Sequence, residues 1–124
     1  MEKKKREVLL IDDSEETLQM VRQILENHAF TCTTAITAVE GLAKARKSRP
    51  DLILLDLMLP QMSGLGFVRE LKADPLLSKI PVIILSGIGD EEVAREVLDL
   101  GASGYLRKTC GIRELVSTVA NYLP

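Results

Sequence analysis

Apolar residues occur along this chain in two textures. Compact runs such as Val8–Ile11, Leu52–Leu55 and Val82–Leu85 are each closed by a polar residue, and between them apolar positions recur three and four residues apart. Short uninterrupted apolar runs bounded by turn residues predict strands buried on both faces, and the three-and-four spacing predicts amphipathic helices. Strands are therefore expected over Glu7–Ile11, Asp51–Asp56 and Pro81–Ser86, and over Phe30–Ala35, which is rich in β-branched residues. A short fifth strand is expected over Ser103–Leu106.

The intervening helices have recognisable starts and stops. Ser14 is a good N-cap, followed by Glu15 and Glu16 at the positive end of a helix whose apolar face carries Leu18, Val21, Leu25 and His28. Thr37 and Glu40 have capping-box spacing and open a second helix that runs to about Lys47. A third helix covers Leu65–Lys72 and is ended by Pro75. Asp90 is expected to cap a fourth, with Val93, Val97 and Leu98 inward and Gly101 as its stop. Ile112, Leu115, Val116 and Val119 mark a closing helix. Five β-α units in succession predict an α/β fold, a parallel sheet with helices on both faces and right-handed crossovers. Periodicity alone leaves the strand order open.

Composition narrows the class. The 124 residues make one domain, 46% hydrophobic and 27% charged, which excludes a disordered chain. A net charge of −2 gives no steering toward nucleic acid or an anionic membrane. The run Lys3-Lys4-Lys5-Arg6 is expected to be a solvated basic tail over residues 1–6. Cys32 and Cys110 lie far apart, which suits reduced thiols in a cytoplasmic protein, and no signal peptide or membrane span is evident. No room is left after the closing helix for a DNA-binding or catalytic output domain within these residues.

The polar residues that close the strands carry the chemistry. In open parallel sheets, ligands bind beyond the carboxyl ends of the strands. Asp12 and Asp13 follow the first strand, Asp56 ends the third, Ser86 ends the fourth and Lys108 follows the fifth. Three carboxylates brought together resist ionising together, and a hard divalent cation relieves the repulsion. Mg²⁺ takes few protein carboxylates and keeps sites for water or phosphate oxygens. A carboxylate can also accept a phosphoryl group, with cations and hydroxyls stabilising the transferring oxygens. Asp56 is the best nucleophile, because it stands alone on a central strand while Asp12 and Asp13 form a metal-binding pair.

Ile11-Asp12-Asp13-Ser14, Asp56 with Leu59-Pro60-Gln61-Met62-Ser63-Gly64, Ile84-Leu85-Ser86-Gly87 and Gly101-Ala102-Ser103-Gly104-Tyr105-Leu106-Arg107-Lys108 resemble the receiver domain of two-component response regulators. The resemblance runs from Glu7 to about Leu123. It implies a flavodoxin-like sheet of order 2-1-3-4-5. It implies Asp56 as phosphoacceptor from a sensor histidine kinase or histidine phosphotransfer protein. Mg²⁺ would then be held by Asp12, Asp13, Asp56 and the backbone carbonyl of Met58. Ser86 and Lys108 would contact the phosphate, and Tyr105 would be an aromatic switch following Ser86. The protein so implied is a signalling switch that catalyses only its own phosphorylation and dephosphorylation. It would meet a downstream effector through the fourth helix, fifth strand and fifth helix, as a monomer or a phosphorylation-dependent dimer, without direct contact to nucleic acid or membrane.

Some positions depart from that family's pattern. Thr109 follows Lys108 where proline is usual. A cis bond before a non-proline residue costs about 3–4 kcal/mol, so the turn either keeps a strained bond or takes a trans route that moves Lys108. Gly87 stands where alanine is more usual, and Met58 and Ile88 are apolar at positions that in the family tune phosphoryl loss. A long-lived phosphoryl group is expected from that pair. A constitutive interaction module is the alternative function, with Thr109 as its support. An aspartyl-phosphate phosphatase would instead show D-x-D on the nucleophile strand.

Overall fold

The computed structural model describes residues 5–59, 62–87 and 89–123. Five strands and five helices alternate: β1 Arg6–Ile11, α1 Glu15–Asn27, β2 Phe30–Ala35, α2 Ala38–Ser48, β3 Leu52–Asp56, α3 Gly64–Ala73, β4 Val82–Ser86, α4 Glu91–Asp99, β5 Gly104–Arg107 and α5 Ile112–Tyr122. The strands form one parallel sheet in the order β2-β1-β3-β4-β5. The 2-1-3-4-5 order implied by the resemblance is the order observed.

The compact apolar runs become strands because both of their faces are covered. Every residue of β3 and of β4 is buried. Period-2 alternation within those runs sorts the side chains into two cores. Leu9, Ile11, Ile53, Leu55, Val82 and Ile84 pack against α2, α3 and α4, together with the fully buried Phe67. Val8, Leu10, Leu52, Leu54, Ile83, Leu85 and Leu106 pack against α1 and α5. Gly41 permits the close approach of α2 to β1, since a Cβ there would collide with the Ile11 side chain.

Two N-caps work as the sequence indicates, and Ser63 supplies a third that sequence reasoning missed. Ser14, Thr37 and Ser63 are extended and accept hydrogen bonds from the amides of Thr17, Glu40 and Gly66. Gly101, at φ +123°, takes the left-handed conformation that stops α4.

Four expectations are corrected. Arg6 belongs to β1, paired with Phe30 of β2, rather than to the basic tail. His28 does not join the apolar face of α1, because the helix ends there and its ring Nδ1 sits 2.7 Å from the Ile24 carbonyl in an exposed position. Asp90 precedes α4 but makes no side-chain cap bond to it. Ile112 begins α5 yet is 55% exposed, because it projects beside α1 instead of under the sheet. Among the described residues no helix is long and apolar enough to cross a membrane.

Candidate functional site

The site forms at the carboxyl edge of the sheet, where β1 and β3 are neighbours. That adjacency brings Asp12, one residue past β1, beside Asp56, the last residue of β3. Both are buried, while Asp13 is exposed. Ligand atoms from Asp12, Asp13 and Asp56 lie within 4.8 Å of one another.

Local backbone bonds aim the two buried carboxylates. Asp12 Oδ1 accepts from the Ser14 amide at 2.9 Å, which turns the chain into α1. Asp56 Oδ1 accepts from the Met58 amide at 3.2 Å. The other oxygen of each faces Lys108, whose Nζ lies 3.1 Å from Asp56 Oδ2 and 3.4 Å from Asp12 Oδ2. Asp12 Oδ2 is buried and accepts no hydrogen bond of good geometry.

No cis peptide bond occurs among the described residues, so Lys108–Thr109 is trans. Lys108 nevertheless reaches both carboxylates. It is placed by its own amide, which donates to the Ser86 carbonyl at 2.8 Å and extends the β4–β5 ladder by one rung. The trans route therefore does not displace the lysine.

The electrostatics follow from burial and crowding. Burial raises the Asp56 pKa above the usual carboxylate range, and the Asp12 charge raises it further. The Lys108 ammonium and the Met58 amide pull the other way without cancelling the rise. Burial tends to lower the Lys108 pKa, but its hydrogen bond to Asp56 and the charges of Asp56 and Asp12 outweigh that and raise it. The arrangement is an all-oxygen carboxylate cluster with an orphaned buried oxygen, a donor set that suits a hard divalent cation such as Mg²⁺.

Ser86 ends β4, and Tyr105 lies on β5, across β4 from Asp56. The buried Ser86 hydroxyl donates to the Leu106 carbonyl over 3.5 Å, a long bond, and so is engaged with β5. Tyr105 is 53% exposed and lines a cavity of about 190 Å³ together with Ser86, Gly87, Ala94, Arg95 and Leu98. Met58 is exposed at the rim. Pro60, Gln61 and Ile88 lie outside the described residues.

Sequence reasoning missed an apolar cleft of about 180 Å³ between α1 and α5, lined by Met20, Ile24, Cys110, Ile112 and the stem of Lys108. The three-and-four spacing of Met20, Ile24 and the neighbouring core residues carries a signal for a wider apolar face on α1, but only the placement of α5 makes a cleft of it.

Comparison with known proteins gives a consistent result. The family model described as the response regulator receiver domain matches residues 8–120. The chain is 33% identical over 121 residues to the polar-differentiation response regulator DivK of Brucella anthropi, covering 95% of this chain and 96% of that protein. It is 35% identical over 116 residues to hybrid signal transduction histidine kinase D of Dictyostelium discoideum, covering 94% of this chain but only 7% of that much longer protein. Among solved structures it superposes on the chemotaxis response regulator CheY4 of Vibrio cholerae with a TM-score of 0.90 at 32% identity, covering 97% of this chain and all of that one.

Proposed function

The chain belongs to the response regulator receiver family, and we propose that within it the protein is a phosphorylation-driven signalling switch with Asp56 as the acceptor. The observation that carries this reading is the pairing of Lys108 with both Asp56 and Asp12 at the end of the sheet, beside an oxygen-only cluster. Asp56 is buried at its base but aims one oxygen at the ammonium rather than into the core.

In this reading an Asp56 oxygen attacks the phosphorus of a phosphohistidine on a kinase or phosphotransfer protein. The P–N bond breaks as the P–O bond forms, and the imidazole leaves with the bonding pair. Mg²⁺, held by Asp12, Asp13, Asp56 and the Met58 carbonyl, would neutralise charge on the carboxylates and the phosphoryl oxygens. Lys108 is already within reach of the position the phosphoryl group would take and offsets its charge. Ser86 exchanges its long bond to Leu106 for a phosphate oxygen, a stronger charged acceptor. That movement vacates space beside Tyr105, which turns into the cavity it now lines and changes the surface of α4, β5 and α5. The effector would bind that surface.

Intact-mass measurement after incubation with a small-molecule phosphodonor and Mg²⁺ tests the acceptor. One phosphoryl group is expected on the wild type and none on Asp56→Asn. Addition to both proteins would mean another acceptor, and addition to neither would favour a constitutive interaction module. Apolar Met58 orients no water toward the phosphoryl group, so Met58→Asn is expected to speed its loss. An unchanged decay curve for phosphorylated Met58→Asn would remove that role.

A further inference from the structure

The start of α4 differs from the starts of α1, α2 and α3. Ser14, Thr37 and Ser63 are extended and cap their own helices, whereas Asp90 has φ −93° and ψ 7° and makes no cap bond. Its carboxylate turns back instead, and Asp90 Oδ2 accepts the Gly87 amide at 2.8 Å. The Asp90 amide also donates to the Gly87 carbonyl, at 3.4 Å, so Gly87 and Asp90 are joined by two bonds. Gly87 suits this pairing, since a Cβ there would lie 3.3 Å from the same carboxylate oxygen.

The amide that Asp90 occupies has a particular position. Along a parallel strand, successive residues present their backbone groups to opposite neighbours. Leu85 faces β3, because its carbonyl accepts from Leu57, and Ser86 faces β5, because its carbonyl accepts from Lys108. Gly87 is next and returns to the β3 side, where the ladder would continue to the Leu57 carbonyl. That carbonyl accepts from Gly64 at 3.0 Å instead. The Gly87 amide is thus the first donor of β4 beyond the sheet, on the side of Asp56, and a carboxylate of the same chain holds it.

We propose that Asp90 is a built-in anion that ties Gly87 to the start of α4 in the resting state, and that a phosphoryl group on Asp56 competes with it for the Gly87 amide. The inference rests on Asp56 as the acceptor. A carboxylate and a phosphoryl oxygen want the same donor, so release of Asp90 frees both the loop beside Ser86 and the first turn of α4 to rearrange. The latch holds the unphosphorylated state until a more highly charged anion arrives.

The test uses the whole chain, ¹⁵N-labelled, as wild type, Asp90→Ser, Asp90→Asn and Asp56→Asn. Serine keeps a good N-cap but loses the charged reach, while asparagine keeps a neutral acceptor. Without ligand, the Gly87 amide proton is expected to move upfield in Asp90→Ser. With beryllofluoride and Mg²⁺ as the phosphoryl stand-in, half-saturation is expected at about five-fold lower concentration in Asp90→Ser than in wild type, with Asp90→Asn between them. An unmoved Gly87 amide, or equal half-saturation in wild type and both Asp90 variants, would overturn the latch while leaving the acceptor intact. No uptake by wild type, or equal uptake by Asp56→Asn, would overturn the acceptor reading and the latch with it. Asp90→Asn carries the test by itself if Asp90→Ser does not fold.

Discussion

Around Asp12 and Asp56 the chain is held on all sides, whereas beyond Ser86, at Tyr105 and the start of α4, it is held on fewer. β1 and β3 are inner strands, buried on both faces, and the helices that follow them, α1 and α3, are capped by Ser14 and Ser63. β5 is an edge strand of four residues that alternates buried and exposed. The loop before α4 contains Gly87 and Gly89, the latter at φ +90°, and α4 has no side-chain cap. The half that holds the carboxylates gains from rigidity, because a cluster of three acids survives only if its geometry cannot relax. The half that would report on them needs two arrangements of similar free energy, which few buried contacts and an open cavity permit.

The contrast breaks most visibly in the core. Phe67→Ala, under the acid-holding half, is expected to cost about 3–5 kcal/mol in urea unfolding, because Phe67 is fully buried among β-strand side chains. A loss below 1 kcal/mol would show that this half is not tightly packed.

Next in size is Asp56→Asn. A native carboxyl pKa raised by burial and by Asp12 means that the folded protein binds this proton more tightly than the unfolded chain does. Its ionised form therefore lowers stability at neutral pH, and the penalty vanishes as pH falls through the raised native value toward the ordinary one. Metal-free Asp56→Asn should be more stable than wild type at pH 7, on the order of 1–2 kcal/mol, with the gap closing on acidification. Lys108 acts with the opposite sign. Its raised pKa gives stability that is present below the ordinary lysine value and lost as pH rises through the native one, and the variant, lacking one partner, should lose less of it. Unfolding curves from pH 4 to 11 check both limbs, and a variant less stable than wild type at pH 7 would reverse the sign assigned to Asp56.

The smallest effects sharpen the comparison. Ser63→Ala should cost about 1 kcal/mol through its lost cap bond to Gly66. Tyr105→Ala, on the loosely held half, should change stability by less than about 0.5 kcal/mol. Equal losses at the two sites would erase the distinction between the halves.

Much of this was legible in the chain alone. The runs Val8–Ile11, Leu52–Leu55 and Val82–Leu85 specify strands because an uninterrupted apolar segment of that length can be satisfied only by burial on both faces, and Ser14 and Thr37 specify helix starts because their hydroxyls can reach an amide three residues on. The acids and Lys108 are legible as strand-end residues for the same reason: a charge that follows such a run has to emerge at the sheet's edge. Tertiary structure decided what one-dimensional patterns do not encode. It placed β1 beside β3, so that Asp12 and Asp56 meet, and it carried Lys108 to both through a trans turn held by the Ser86 carbonyl. It also turned Asp90 away from its own helix, a choice between two amides within reach of one carboxylate, settled by where β4 leaves the sheet. Local periodicity records which residues must be buried, while pairing between distant segments sets which polar groups then face one another.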